Sequence, residues 1–127
     1  MERRKVNKET EYQGEWDEGV RSGFGITFWV DGKYAGDRHE GENKNGLMNG
    51  KGIYYWSDES AYSGDRYAGE FKNGRMNGRG IYYWKSGDWE EGDYEKGRRE
   101  GRAIYHYGDG RTKEREYKKG ELVKKRI

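Results

Sequence analysis

Apolar residues are sparse in this chain, and where they occur they alternate with polar or glycine positions in short runs. Tyr67-Ala-Gly69-Glu70-Phe71 is one such run and predicts a β-strand. Gly80-Ile81-Tyr82-Tyr83-Trp84 is another, rich in aromatic and β-branched residues, and predicts the strand that returns. Between them, Asn73-Gly74 and Asn77-Gly78 read as the positive-φ residues that reverse the chain into a hairpin. Ser86-Gly87 ends the unit.

The same unit recurs. Numbered from Tyr67 as position 1, its position-8 glycine falls at Gly19, Gly46, Gly74, Gly97 and Gly120, at spacings of 27, 28, 23 and 23 residues. Position 15 is Ile26, Ile53, Ile81 and Ile104. A period of this length predicts a stacked array. The first two spacings carry insertions, Lys33 to Gly36 and roughly Glu59 to Ser63. The predicted fold is all-β: a single elongated, twisted antiparallel meander of tandem ~23-residue hairpins. Its parts are a charged lead-in (1–11), copies at 12–32, 39–58, 67–87 and 90–110, a half-copy at 113–120 supplying a closing strand, and a basic tail at 121–127.

Tyr12-Gln13-Gly14-Glu15-Trp16 and Tyr67-Ala-Gly69-Glu70-Phe71, each followed by G-x-G, resemble the MORN (membrane occupation and recognition nexus) repeat. The resemblance covers residues 12–120. The second copy departs from it at His39, in place of the opening tyrosine, and at Asn43, in place of the strand aromatic. The fourth has Ala103 at position 14, otherwise glycine. The resemblance implies recruitment, since such repeats occur in scaffold and membrane-junction proteins and beside kinase and methyltransferase domains.

Composition alone argues the other way. Leu, Ile, Val and Phe total 14 of 127 residues, charged residues are 39%, and mean hydropathy is −1.50, values typical of disorder. A net charge of only +2 and an aromatic content of 16% reverse that conclusion. The rings carry the apolar surface. Burying one is worth ~1.5–3 kcal/mol, while ordering a residue's backbone costs ~1–2 kcal/mol. A lone hairpin therefore cannot stand, and neighbouring repeats must stabilise one another. The lack of proline suits central strands that need every N–H. There is no cysteine for a disulfide, no apolar run long enough to span a bilayer and no signal-peptide pattern, so a cytoplasmic location is expected.

Catalytic chemistry is not expected, and neither is a metal or other cofactor. His39 and His106 stand where other copies carry tyrosine or phenylalanine, so each reads as one ring replacing another. The carboxylates at position 4 (Glu15, Glu42, Glu70 and Asp93) form a regular ladder, unlike the dissimilar pair an acid–base mechanism needs. They read as acceptors for the next repeat's backbone or as partners of arginine. The G-x-G glycines lack phosphate-loop spacing and read as room for rings to lie flat on the backbone.

Binding is what the pattern offers. Trp29, Trp56, Trp84 and Tyr107 share position 18 and project to one face together with position 16, forming an aromatic stripe. Both insertions follow a return strand, which makes them neighbours on one edge, with Tyr34, Arg38, Tyr62 and Arg66 as candidates there. The charges are split: residues 111–127 hold 8 basic and 3 acidic groups, and residues 11–110 hold 14 and 19. Lys118, Lys119, Lys124, Lys125 and Arg126 make the tail basic, suited to protecting an edge strand or touching anionic lipid. The first expectation is a non-enzymatic module that binds another protein or peptide through its groove or loop edge. Anionic lipid is the alternative, and a toxin inhibitor or phage-type decoy a further one. Nucleic acid is disfavoured, and a homodimer through an edge strand is compatible with the pattern.

Overall fold

Five two-residue turns set the architecture. Glu18-Gly19, Asn45-Gly46, Asn73-Gly74, Lys96-Gly97 and Lys119-Gly120 all have positive φ at both residues, the geometry whose twist matches that of paired strands. A computed structural model describes residues 1–123. Its strands are β1 (Arg4–Lys5), β2 (Thr10–Asp17), β3 (Val20–Trp29), β4 (Arg38–Lys44), β5 (Leu47–Tyr55) and β6 (Arg66–Lys72). They continue as β7 (Arg75–Tyr83), β8 (Trp89–Glu95), β9 (Arg98–His106), β10 (Thr112–Lys118) and β11 (Glu121–Leu122). All eleven form one open sheet, antiparallel throughout and ordered as in the chain. The two-residue strands β1 and β11 fall within the lead-in and the tail and flank the predicted meander.

One turn assignment from the sequence is corrected. Asn77-Gly78 does not reverse the chain but lies inside β7, where Gly78 has φ 94°. The equivalent Gly23 and Gly50 lie inside β3 and β5, also at positive φ. Each sits at a bulge, where the register breaks after Gly14, Gly41 and Gly69 and the return strand carries extra residues. The position-4 carboxylate fills that space. Glu15, Glu42 and Glu70 accept backbone N–H bonds from Phe24, Lys51 and Arg79 at 3.2, 2.8 and 3.0 Å. A Cβ on Gly23, Gly50 or Gly78 would collide with these carboxylates. The carboxylate ladder thus binds backbone, but within its own hairpin rather than across to the next repeat. Asp93 instead faces the Arg79 guanidinium at 3.8 Å.

Beneath the position-1 ring lies a pair of glycines facing each other across the strands. Tyr12 covers Gly14 and Gly25, His39 covers Gly41 and Gly52, and Tyr67 covers Gly69 and Gly80. A Cβ on Gly25 or Gly80 would collide with the tyrosine ring and its hydroxyl. In the fourth copy Glu90 replaces the ring, and Ala103 can stand opposite Gly92. The two departures in that copy are one structural change. The rings of Tyr67, Phe71, Tyr82 and Tyr94 are buried around this arrangement, with Met48, Met76, Tyr54, Trp56 and Trp84 half-buried against them. The opposite face is a thin layer of pairs: Arg3 over Phe28, Arg38 over Tyr55, Arg66 over Tyr83, and Trp89 stacked on His106 at 3.6 Å.

Gly80→Ala is expected to destabilise the protein by about 1–3 kcal/mol, because the Tyr67 ring has nowhere to move. Ala103→Gly should cost no more than about 0.5–1 kcal/mol. Urea unfolding midpoints check both, and equal effects would contradict the ring-on-glycine account.

Candidate functional site

The loops that join one hairpin to the next are fastened by aspartate. Asp37 accepts hydrogen bonds from the Tyr54 hydroxyl and from Ser57 N, the latter at 2.8 Å. Asp65 takes the Tyr82 hydroxyl at 2.6 Å and Lys85 N at 2.9 Å. Asp88 repeats this with the Tyr105 hydroxyl and Gly108 N at 2.6 and 2.9 Å. Each latch reaches forward into the next repeat. Burial, with the adjacent carboxylate, raises the Tyr54 and Tyr82 hydroxyls well above the usual tyrosine range, so they stay donors. The hydrogen bonds from Tyr105 and Gly108 hold Asp88 below the usual carboxylate range. Asp37 and Asp65, each next to an arginine in the chain, are therefore structural.

These latches orient the aromatic stripe. Trp29, Tyr54, Trp56, Tyr82, Trp84, Tyr105 and Tyr107 run as one unbroken series, successive ring centroids standing 4.8–5.3 Å apart in tilted or edge-on geometry. All four position-18 rings are half-buried. The stripe is both wall and surface: each ring packs sideways on its neighbours, Tyr82 is buried, and the four position-18 rings leave an edge to solvent.

A groove of ≈ 310 Å³ opens beside it and runs along the strands from Trp29, Tyr34 and Trp56 at the loop edge to Gly74 and Arg75 at the turn edge. Met48 and Met76 line its middle. Both occupy position 10, where Arg21 and Arg99 stand in the outer copies, so the groove's methionine lining belongs to the central repeats. The signal for these methionines in the sequence is the recurrence of Met-Asn-Gly at 48–50 and 76–78 in a chain with three methionines in all, a pattern that turn and strand propensities do not single out.

The other candidates divide. Tyr34 and Tyr62 are 50% and 57% exposed on the two inserted loops. Those loops are neighbours, as expected, and share a cleft. Arg38 and Arg66 do not belong with them. Their guanidinium groups lie on the opposite face, 4.3 and 4.0 Å from the ring centroids of Tyr55 and Tyr83. Lys118 and Lys119 are exposed at the last turn, where Lys119 N donates to Glu100. Lys124, Lys125 and Arg126 lie outside the described residues.

Buried polar groups interrupt the rings at Glu90, His39 and Asn43. Glu90 is 2% exposed, paired with Arg99 at 3.0 Å and hydrogen-bonded by the Tyr117 hydroxyl at 2.9 Å. The Arg99 guanidinium also lies over the rings of Tyr82 and Trp84. His39 is fully buried, edge-on to Phe71, with no hydrogen-bond partner on either ring nitrogen. It replaces one ring by another, as its position predicts, and burial, helped by the nearby Arg21 charge, lowers its pKa to about 4. His106 stacks on Trp89 and meets Glu91 at 3.2 Å. Among the described residues, no three His, Cys, Asp or Glu groups are placed to hold a metal ion.

The recurring hairpins coincide with a match to the MORN repeat model at residues 12–34, 39–61, 67–89 and 91–110. The chain belongs to the MORN repeat family. MORN repeats are generally non-catalytic binding and scaffold units. No curated protein matches this MORN chain.

The neutral His39 gives an acid-sensitive step. An unfolded histidine titrates near 6.5 and the folded one near 4, so the unfolded state takes up the proton first as pH falls. Stability is complete above pH ~6.5 and drops by about 3 kcal/mol on reaching pH ~4. His39→Phe should remove that part of the pH dependence, which thermal melts across this range measure directly.

Proposed function

We propose that this MORN array is a non-enzymatic binding module whose partner is another protein, held in the aromatic groove of the central repeats. One observation carries the reading: half-exposed rings and two methionines line a single trough open to solvent. Tryptophan and tyrosine dominate interface energetics, and methionine adapts its shape to what it meets. The regular structure beneath holds these groups in place in advance, which lowers the ordering cost of binding. A cytoplasmic setting fits a chain that contains no cysteine.

A second reading, anionic lipid met by the basic tail and exposed tyrosines, gains support from the turn edge that adjoins the tail at Lys118 and Lys119. Lys72, Arg75, Lys96, Arg98, Lys118 and Lys119 are all exposed there, and each basic group near an anionic surface contributes ~1 kcal/mol. The two readings predict opposite salt behaviour.

Affinity capture with the intact chain, repeated with Trp56→Ala, tests the first reading. A partner retained at high salt by the wild type and weakened at least about tenfold by the substitution is expected. Circular dichroism of the variant, run alongside, separates lost binding from lost fold. Sedimentation with phosphatidylserine-containing vesicles at low salt tests the second. We expect no co-sedimentation; binding that disappears when Lys118, Lys119, Lys124, Lys125 and Arg126 become Gln would establish lipid instead.

A further inference from the structure

The two inserted loops, residues 30–37 and 57–65, enclose a cleft of ≈ 390 Å³ at the head of the groove. Tyr34 and Trp56 line cleft and groove alike, so the two are continuous. Tyr62 closes the far side, its ring centroid 5.9 Å from that of Trp56 at an interplanar angle of 58°. Three aromatic side chains therefore border one opening, each with the electron-rich face that attracts a cation. The chain already shows this preference within itself: Lys33 Nζ lies 5.6 Å from the Tyr34 ring centroid.

Charge adds direction. Asp31, Asp58 and Glu59 are exposed on these loops and Lys33 is their exposed base, while Asp37 and Asp65 are committed to tyrosine hydroxyls and backbone N–H groups. The loop end of the groove is thus acidic as well as aromatic. At its other end Arg75 lines the groove, and Lys72 and Lys96 stand exposed beside the turns. The trough is electrically polar along its length, and an occupant must complement both ends.

We propose that the loop cleft receives a lysine or arginine side chain, and that the partner is a peptide segment lying along the groove with this cation at the loop end. The inference rests on the groove reading above and names the partner's chemistry and direction. The cation enters between Tyr34, Trp56 and Tyr62, with Glu59 on the cleft wall and Asp58 exposed next to it in the chain neutralising its charge, while apolar residues of the same segment meet Met48 and Met76. Lys33 competes for the same ring face.

Short random peptides displayed on phage, selected against the full chain and then synthesised with a fluorescent label, provide the probe. Selected peptides should carry a lysine or arginine whose replacement by norleucine or citrulline weakens binding about tenfold. Tyr62→Ala, and separately Asp58→Asn with Glu59→Gln, should weaken the parent peptide comparably and leave the cation-free peptide unchanged. Lys33→Ala should tighten binding. These side chains are exposed, and melting curves of each variant show that the fold is kept. Peptides that depend on Met76 but are indifferent to losing their cation would overturn the cleft assignment and leave the groove intact. Peptides indifferent to Met76→Ala, or a selection yielding none, would overturn both.

Discussion

The sheet depends on one close contact: an aromatic ring laid flat on two glycines that face each other across a strand pair. A side chain on either glycine would lift the ring and separate it from its neighbours. With Cβ atoms absent, Tyr12, His39 and Tyr67 sink to full burial in a sheet that has no second layer to cover it. This is how a chain with so few aliphatic residues acquires a core. The rings bury one another sideways along the array, and the backbone serves as the floor a second sheet would otherwise supply. The fourth copy follows the same rule by omission, since Glu90 gives up the ring and the site can then accept Ala103.

Much of this was legible in residue spacing. Alternation, the two-residue turns with glycine and the recurrence of position 15 are local signals, and they led directly to strands, hairpins and a meander. The stripe was legible too, because strand residues two apart must share a face. Asn77-Gly78 was misread because positive φ serves both turns and bulges, and sequence alone does not say which. What distinguishes them is the Glu70 carboxylate, which reaches across the bulge to Arg79 N. The direction of Arg38 and Arg66 was missed for a related reason. They begin a strand rather than end a loop, so their faces follow strand alternation, opposite the groove. Glu90, Arg99 and Tyr117 come from three different strands, a meeting that no local pattern announces.

The candidate site combines two scales. The groove arises from the regular part of the sheet, where position 10 changes from arginine to methionine in the central copies. The cleft at its head arises from the irregular part, the loops that only the first two joins possess. Neither is complete alone: Trp56 and Tyr34 line both. The insertions are not loosely appended, because Asp37 and Asp65 bind each loop to the return strand of the next hairpin, at Tyr54 of β5 and Tyr82 of β7. A rigid base beneath exposed tyrosines suits recognition better than a floppy loop would.

The aspartate latches also determine how the array responds to pulling. Asp37, Asp65 and Asp88 each reach one repeat forward and no further, and every strand pairs only with its neighbours in sequence. Tension between the two ends of the sheet acts across the strands, so every ladder and latch carries the whole load in series and they give way one at a time instead of sharing it. Such a molecule peels repeat by repeat from its ends, as a fastener opens tooth by tooth. The central groove, farthest from both ends, would be the last part to yield.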